Sequence, residues 1–269
     1  LGVEPQSRLE MSGIDLGGID EEEQQSVLIK DVIDFCQGPD LIEVFGPSGS
    51  GKSVFSREIM RSLSNKTDKR ALFIDTERNI GEVDELEGAD YIYIPDWHDL
   101  YAYIVGNEGG LSEDPFGTNT TGQRTLKQGY DMVVLDSIGF PALIQYGKYR
   151  VADDSDQFKV FNELQVITGE LKKYAQHNDS LVVVTNQPKS DLSGSDDPDP
   201  FGDKSIFGFK EVWKTIKKST NEIKTTCGIE TFRSRQAGKG KEIFTVEVSD
   251  EGVEVIDRFD EEAEDEWSV

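Results

Sequence analysis

The eight residues Gly46-Pro47-Ser48-Gly49-Ser50-Gly51-Lys52-Ser53 carry the densest chemistry in the chain. Glycines let a backbone curl until consecutive N–H groups face one centre, which is what a row of phosphate oxygens requires. A helix opening directly after the loop adds the positive end of its dipole. Lys52 is placed to reach the β- and γ-phosphates of a nucleotide, and the Ser53 hydroxyl suits Mg²⁺. Such a pattern is a P-loop only where a strand precedes it and a helix follows. The apolar run Leu41 to Phe45 and the stretch from Lys52 to Leu63 meet that condition.

Three further segments place polar residues just past short apolar runs, where open α/β sheets bind their ligands. Phe73-Ile74-Asp75-Thr76-Glu77 offers carboxylates that can hold an attacking water in line. Met132-Val133-Val134-Leu135-Asp136-Ser137 has the Walker B form, an apolar strand ending in an aspartate that holds Mg²⁺. Serine after Asp136 argues against the motor and transporter ATPases that carry a catalytic glutamate there. Val184-Thr185-Asn186-Gln187 ends on an amide that can donate to a γ-phosphate and signal its loss to the following loop. The first two have ordinary alternatives, a solvated loop acid and a helix cap, and the third alone is weak evidence. Their order after the P-loop gives them weight together.

The elements that must position these residues follow from the pattern of apolar residues. A short helix is expected over Ser26 to Phe35, and strands at Leu41–Phe45, Ala71–Asp75, Tyr91–Ile94, Asp131–Asp136 and Leu181–Thr185. Helices are expected at 97–105 and 157–177, the latter with Phe158, Phe161, Leu164, Ile167 and Leu171 on one face. Alternating runs at Val212–Ile216, Ile223–Arg233, Glu242–Val248 and Val253–Ile256 predict antiparallel strands. The fold class is therefore α/β, with a mostly parallel central sheet flanked by helices and a C-terminal antiparallel extension. Residues 1–25 form a polar entry segment, 26–257 the core, and 258–269 an acidic tail.

Fifty-three acidic residues against 28 basic ones leave a formal charge of −25, spread along the chain apart from runs at Asp20 to Glu23 and Asp257 to Glu266. Spread acidity suits a protein that stays hydrated in concentrated salt, so a halophilic source is expected; an acidic mesophilic protein is the alternative. In molar salt the screening length falls to about 3 Å, so overall charge does not exclude nucleic acid as a partner. No apolar run is long enough to cross a membrane, and a cytoplasmic location is expected. The first residue is leucine, so the natural start is expected upstream. Cys36 and Cys227 are read as buried, reduced thiols, and with His98 and His177 isolated no metal cluster is suggested.

The motifs GPSGSGKS, FIDTE, MVVLDS and VTNQ, in that order, resemble the RecA/RadA recombinase superfamily of P-loop ATPases over residues 26–257. The layout, with no helical N-terminal DNA-binding domain in the sequence, is similar to the archaeal RadB-type paralogs, and the acidity suggests a haloarchaeal or halovirus relative. The resemblance implies a RecA-type fold, ATP and Mg²⁺ as ligands, Glu77 as the water-activating acid, Asp136 as the Walker B acid and Gln187 as the γ-phosphate sensor. It also implies single-stranded DNA as a partner in recombination or repair, and a homo-oligomer or association with a recombinase. Gly139 to Gln157 corresponds to the family's first DNA-binding loop, and Pro188 to Phe209 to the second.

Within the first loop, Tyr146, Lys148, Tyr149 and Arg150 interleave aromatics and cations, as base stacking with phosphate contact requires. An ordinary surface patch is the alternative. The second loop adds Lys189 but is otherwise acidic, unlike the family, and Phe201, Phe207 and Phe209 provide further rings, with core packing expected for at least one. No polymerisation motif precedes the core, and the loop over 106–128 is long. Arg233, Arg235, Lys239 and Lys241 straddle a predicted hairpin turn, either to grip DNA phosphate or to offer a cation to a neighbouring subunit's ATP; an ordinary solvated turn is the alternative. A KaiC-like ATPase switch that does not bind DNA is the competing function.

Overall fold

The structure, a computed structural model, describes residues 32–33, 35–36, 40–64, 69–78, 86, 88–106, 126, 129–151, 157–189, 199–202, 209, 211–221, 224–249 and 252–258. Nine strands form one sheet in the order β3-β2-β4-β5-β1-β6-β7-β8-β9. They are β1 (Leu41–Phe45), β2 (Ala71–Asp75), β3 (Ala89–Tyr93), β4 (Met132–Asp136), β5 (Leu181–Asn186), β6 (Glu211–Thr220), β7 (Thr225–Arg233), β8 (Glu242–Ser249) and β9 (Gly252–Arg258). The helices are α1 (Lys52–Ser64), α2 (Trp97–Val105), α3 (Gly139–Val151) and α4 (Gln157–Asn178).

The central strands β1, β2, β4 and β5 are buried at every residue, which is why they read as unbroken apolar runs. Alternate side chains serve two cores on opposite faces of the sheet. Leu41, Phe45, Leu72, Val133 and Val182 pack with α2, α3 and α4. Ile42, Val44, Phe73, Val134 and Val183 pack with α1 and with Trp213, Ile229 and Phe244 of the C-terminal strands. All pairs from β3 to β6 are parallel, so their C-terminal ends lie along one edge. From β6 onward the pairs are antiparallel.

The third strand begins two residues earlier than expected, and Ile94 lies just beyond it, donating its N–H to Asp75 O. On α4 the expected apolar face holds for Leu164, Ile167 and Leu171, but Val160 leads it in place of Phe158, which points to the opposite side of the first turn and is 65 % exposed. Residues 32–33 and 35–36 are helical, with Val32 and Cys36 buried. Arg258 belongs to β9 and not to a tail. The polar segment 1–25, the acidic run Asp20 to Glu23, most of the loop over 106–128, Phe207 and the tail 259–269 lie outside the described residues. No helix among those described is long and apolar enough to cross a membrane.

Candidate active site at the strand ends

Gly46 follows β1 and has no room for a side chain: a Cβ there would collide with Thr215 Oγ1 on β6. Gly49 and Gly51 have φ of 72° and 87°, the left-handed conformation that glycine adopts without strain. The turn is closed by Ser50, whose hydroxyl donates to Pro47 O at 2.8 Å and meets Thr215 Oγ1 at 2.5 Å. The N–H of Phe55 then donates to Gly51 O, and α1 begins. Lys52 is buried and its ammonium donates to the carbonyls of Gly46 and Pro47, at 2.8 and 2.9 Å. Burial pushes its pKa down, and the Asp136 and Glu77 carboxylates oppose that shift. Pro47, Ser48 and Gly49 are exposed, and Ser53 is half-buried at the second position of α1.

The three other strand ends converge beside this loop. Glu77 Oε1 accepts from Ser137 Oγ at 2.6 Å and from Gln187 Nε2 at 3.2 Å. One carboxylate thus joins residues that follow β2, β4 and β5. Its backbone is set by Asp75, whose Oδ1 accepts the N–H groups of Glu77 and Arg78, and whose Oδ2 accepts the Tyr91 hydroxyl. Burial and the Asp75 carboxylate push the Tyr91 hydroxyl up to about 12. Arg78 takes a left-handed φ of 59°, the single-residue departure this turn requires. Thr76 locks the second strand end, accepting from Ser137 N and donating to Ser137 O. The Asp136–Ser137 peptide is cis.

Asp136 is 1 % exposed. Its Oδ1 accepts from the Thr185 hydroxyl, while Oδ2 has no hydrogen-bond partner among the described residues. Burial raises its pKa, and the Thr185 and Ser53 hydroxyls act in the opposite direction. A buried carboxylate oxygen left without a partner near a serine hydroxyl is a set of hard oxygen donors, and it fits Mg²⁺. No cluster of three or more histidine, cysteine or acidic side chains suited to a metal occurs among the described residues.

The residues expected to contact DNA are placed differently. Gly139–Val151 is a helix and not a loop, because Pro141 falls in its first turn, where a missing N–H costs nothing. Tyr146 turns inward, its ring 5.4 Å from that of Phe161 and 6.4 Å from that of Phe201. Tyr149 also packs on the core, whereas Lys148 and Arg150 are exposed. Phe201 and Phe209 are buried. Lys189 is exposed, and its N–H donates to Asp199 O where the second segment closes. In the hairpin, Arg235 is not a free cation: it pairs with Asp40 at 2.5 Å and lies 3.7 Å from the fully buried Glu211, which needs a positive neighbour. Lys239 sits 4.4 Å from the centre of the Phe232 ring. Arg233 and Lys241 flank the same turn, both half-buried.

Sequence reasoning passed over Thr76, Thr185, Asn186, Thr215 and Glu43. The first three stood within the motifs it singled out, and an acid in the middle of the buried run Leu41–Phe45 was a visible anomaly. Thr215 had no local signal, since its contact with the P-loop spans 165 positions.

Known proteins share parts of this sequence and its fold. The AAA domain family matches residues 41–142, from β1 into the start of α3. The chain is 25 % identical over 207 residues to the DNA repair and recombination protein RadB of Methanococcoides burtonii, covering 76 % of this chain and 84 % of that protein. A crystal structure of the RadB recombinase superposes with a TM-score of 0.57 at 17 % identity, covering 85 % of this chain and 97 % of the other. At that identity the superposition speaks for the fold.

Proposed function

Starting from a chain that belongs to the RecA/RadA superfamily and is RadB-like in layout, we propose that it hydrolyses ATP and uses the cycle to control binding of single-stranded DNA in recombination or repair. The observation that carries this is the meeting of Glu77, Ser137 and Gln187 beside the P-loop. A carboxylate held by two neutral donors keeps a fixed rotamer and a free lone pair, which is what aligning a water requires. Gln187 has two amide hydrogens and gives one to Glu77, so the other can serve a γ-phosphate without releasing the acid. Lys52 exchanges the carbonyls of Gly46 and Pro47 for phosphate oxygens when nucleotide enters.

Asp136 and Ser53 are the residues that hold Mg²⁺ on this reading, and the ion supplies charge neutralisation on the β- and γ-phosphate oxygens. Lys148, Arg150 and Lys189 are the phosphate contacts for DNA, with Tyr149 as the aromatic nearest to them in sequence. Arg233, Lys239 and Lys241 serve DNA or a neighbouring subunit's nucleotide, in a homo-oligomer or beside a recombinase.

The test is ATP turnover in about molar KCl with and without single-stranded DNA, alongside protein mobility. DNA should raise turnover and retard the protein. Turnover that DNA leaves unchanged, with no shift in mobility, would favour a DNA-independent switch; no turnover at all would make the chain a nucleotide-binding subunit.

A further inference from the structure

Asn186 stands one residue before Gln187 at the end of β5 and is fully buried. Its Nδ2 donates to Glu43 Oε1 at 2.6 Å and to Phe201 O at 2.9 Å, and its Oδ1 accepts the N–H of Gln187 at 2.8 Å. Glu43 lies in the middle of β1, three residues ahead of the P-loop, and is 1 % exposed. Phe201 is where the chain that leaves the sheet at Pro188 returns to it. Its N–H donates to Gln187 O at 2.9 Å, Lys189 N donates to Asp199 O at 2.7 Å, and Pro188 bridges Pro200. On the remaining side, a Cβ on Gly139 would collide with Asn186 Oδ1 and lie 3.0 Å from Gln187 N, so α3 starts in direct contact with the same amide.

A buried carboxamide keeps its partners because leaving one unmade is costly. Asn186 therefore cannot turn without moving Gln187, the Phe201 carbonyl, or both. Glu43, fixed in the central strand, does not move with them. We infer that Asn186 is a positioning residue that ties the reach of Gln187 to the point where the 188–201 segment leaves and rejoins the sheet, with Glu43 as its fixed anchor. A change of partner at Gln187 is then felt at Phe201 and Lys189. This rests on the proposal above that Gln187 faces the γ-phosphate.

Hydrogen exchange of the full chain in molar KCl tests it, comparing Mg²⁺ with ATPγS against Mg²⁺ with ADP, at the amides of Lys189 and Phe201. The wild type should show a difference in protection on the order of tenfold. Asn186→Asp removes the donor and sets a carboxylate against Glu43, and should abolish that difference while ADP affinity, read with a fluorescent analogue, stays within about threefold. In the Asn186→Asp/Glu43→Gln double substitution the new amide can donate to the new carboxylate, and part of the difference should return. A general packing defect would not be repaired by the second change. A full nucleotide response in Asn186→Asp, or no recovery in the double variant, overturns the relay alone. A wild type without any response overturns the reading of Gln187, and the relay with it.

Discussion

The strand ends that hold Lys52, Glu77, Asp136 and Gln187 and the surface segments that hold Tyr146, Arg235 and Lys239 are made of the same kinds of polar and aromatic side chain, yet they use them in opposite ways. At the strand ends Lys52 and Asp136 are buried and Glu77 and Gln187 half-buried, and the site still keeps unspent capacity: among the described residues Asp136 Oδ2 has no partner, and Glu77 accepts hydrogen bonds only from neutral donors. On the surface segments the groups that look available are engaged within the chain. Arg235 serves Asp40 and Glu211, Lys239 lies on Phe232, and Tyr146 closes an aromatic cluster. Polar capacity left unused in a buried place costs folding free energy, so its persistence marks function more surely than an exposed cation does.

The largest expected effect comes from Glu77→Gln. The new amide oxygen can still accept from Ser137 and Gln187, so geometry survives while the base is lost. Turnover should fall by about 10²- to 10⁴-fold, with nucleotide binding within a few-fold of wild type. Retained turnover in a purified sample would remove Glu77 from the chemistry.

Asp136→Asn separates function from stability at the same site. An amide oxygen can still accept from Thr185, and no buried charge remains unpaired. Mg²⁺-dependent nucleotide binding and turnover should be lost. The ligand-free protein should gain stability, on the order of 1 kcal/mol or a few degrees in Tm. A lower Tm would mean that the Asp136 carboxylate has a structural partner beyond the Thr185 hydroxyl.

Arg235→Ala probes the other region. Among the described residues it leaves the fully buried Glu211 with the backbone N–H of residue 235 and the Trp213 indole as its donors. Losing the cation beside a buried acid is strongly destabilising in a dry interior. With Arg235 itself partly solvated, a loss of about 1–3 kcal/mol in thermal or denaturant unfolding is expected. Turnover at low temperature should be unchanged. A variant that unfolds like wild type but loses turnover would restore Arg235 to a functional role.

These contrasts track what could be read from sequence. Runs such as Met132–Leu135 and Leu181–Val184 identify central parallel strands because both faces are covered, and parallel strands put their C-terminal ends on one edge. The positions just past each run are therefore located by the fold itself, and the placement of Glu77, Asp136 and Gln187 along one edge was legible. Whether Arg235 or Tyr146 faces solvent depends on partners such as Asp40, Glu211, Phe161 and Phe201, which no local spacing announces. The helix Gly139–Val151 was hidden by its glycines and by Pro141, a residue that breaks helices everywhere except in the first turn.

Thr215→Val measures how far the C-terminal strands support the P-loop. It removes the hydroxyl that meets Ser50 and Phe45 O but keeps the shape beside Gly46. One hydrogen bond of ordinary worth predicts a KM for ATP raised about threefold to tenfold with kcat nearly unchanged, and recovery in Thr215→Ser. A fall in kcat with KM unaltered would place the effect in the chemistry and not in the loop.

The smallest effect is expected where Lys148 and Arg150, the exposed cations of α3, are both replaced by alanine. Screening reaches only about 3 Å at molar salt, so the affinity for single-stranded DNA measured there should barely move. The slope of log affinity against log salt is the sensitive quantity, since each phosphate neutralised on a single strand contributes about 0.7. Removing both cations should flatten it by about 1.4. An unchanged slope would show that α3 presents these cations to solvent alone, and would leave Lys189 and the hairpin turn as the places where DNA phosphate is held.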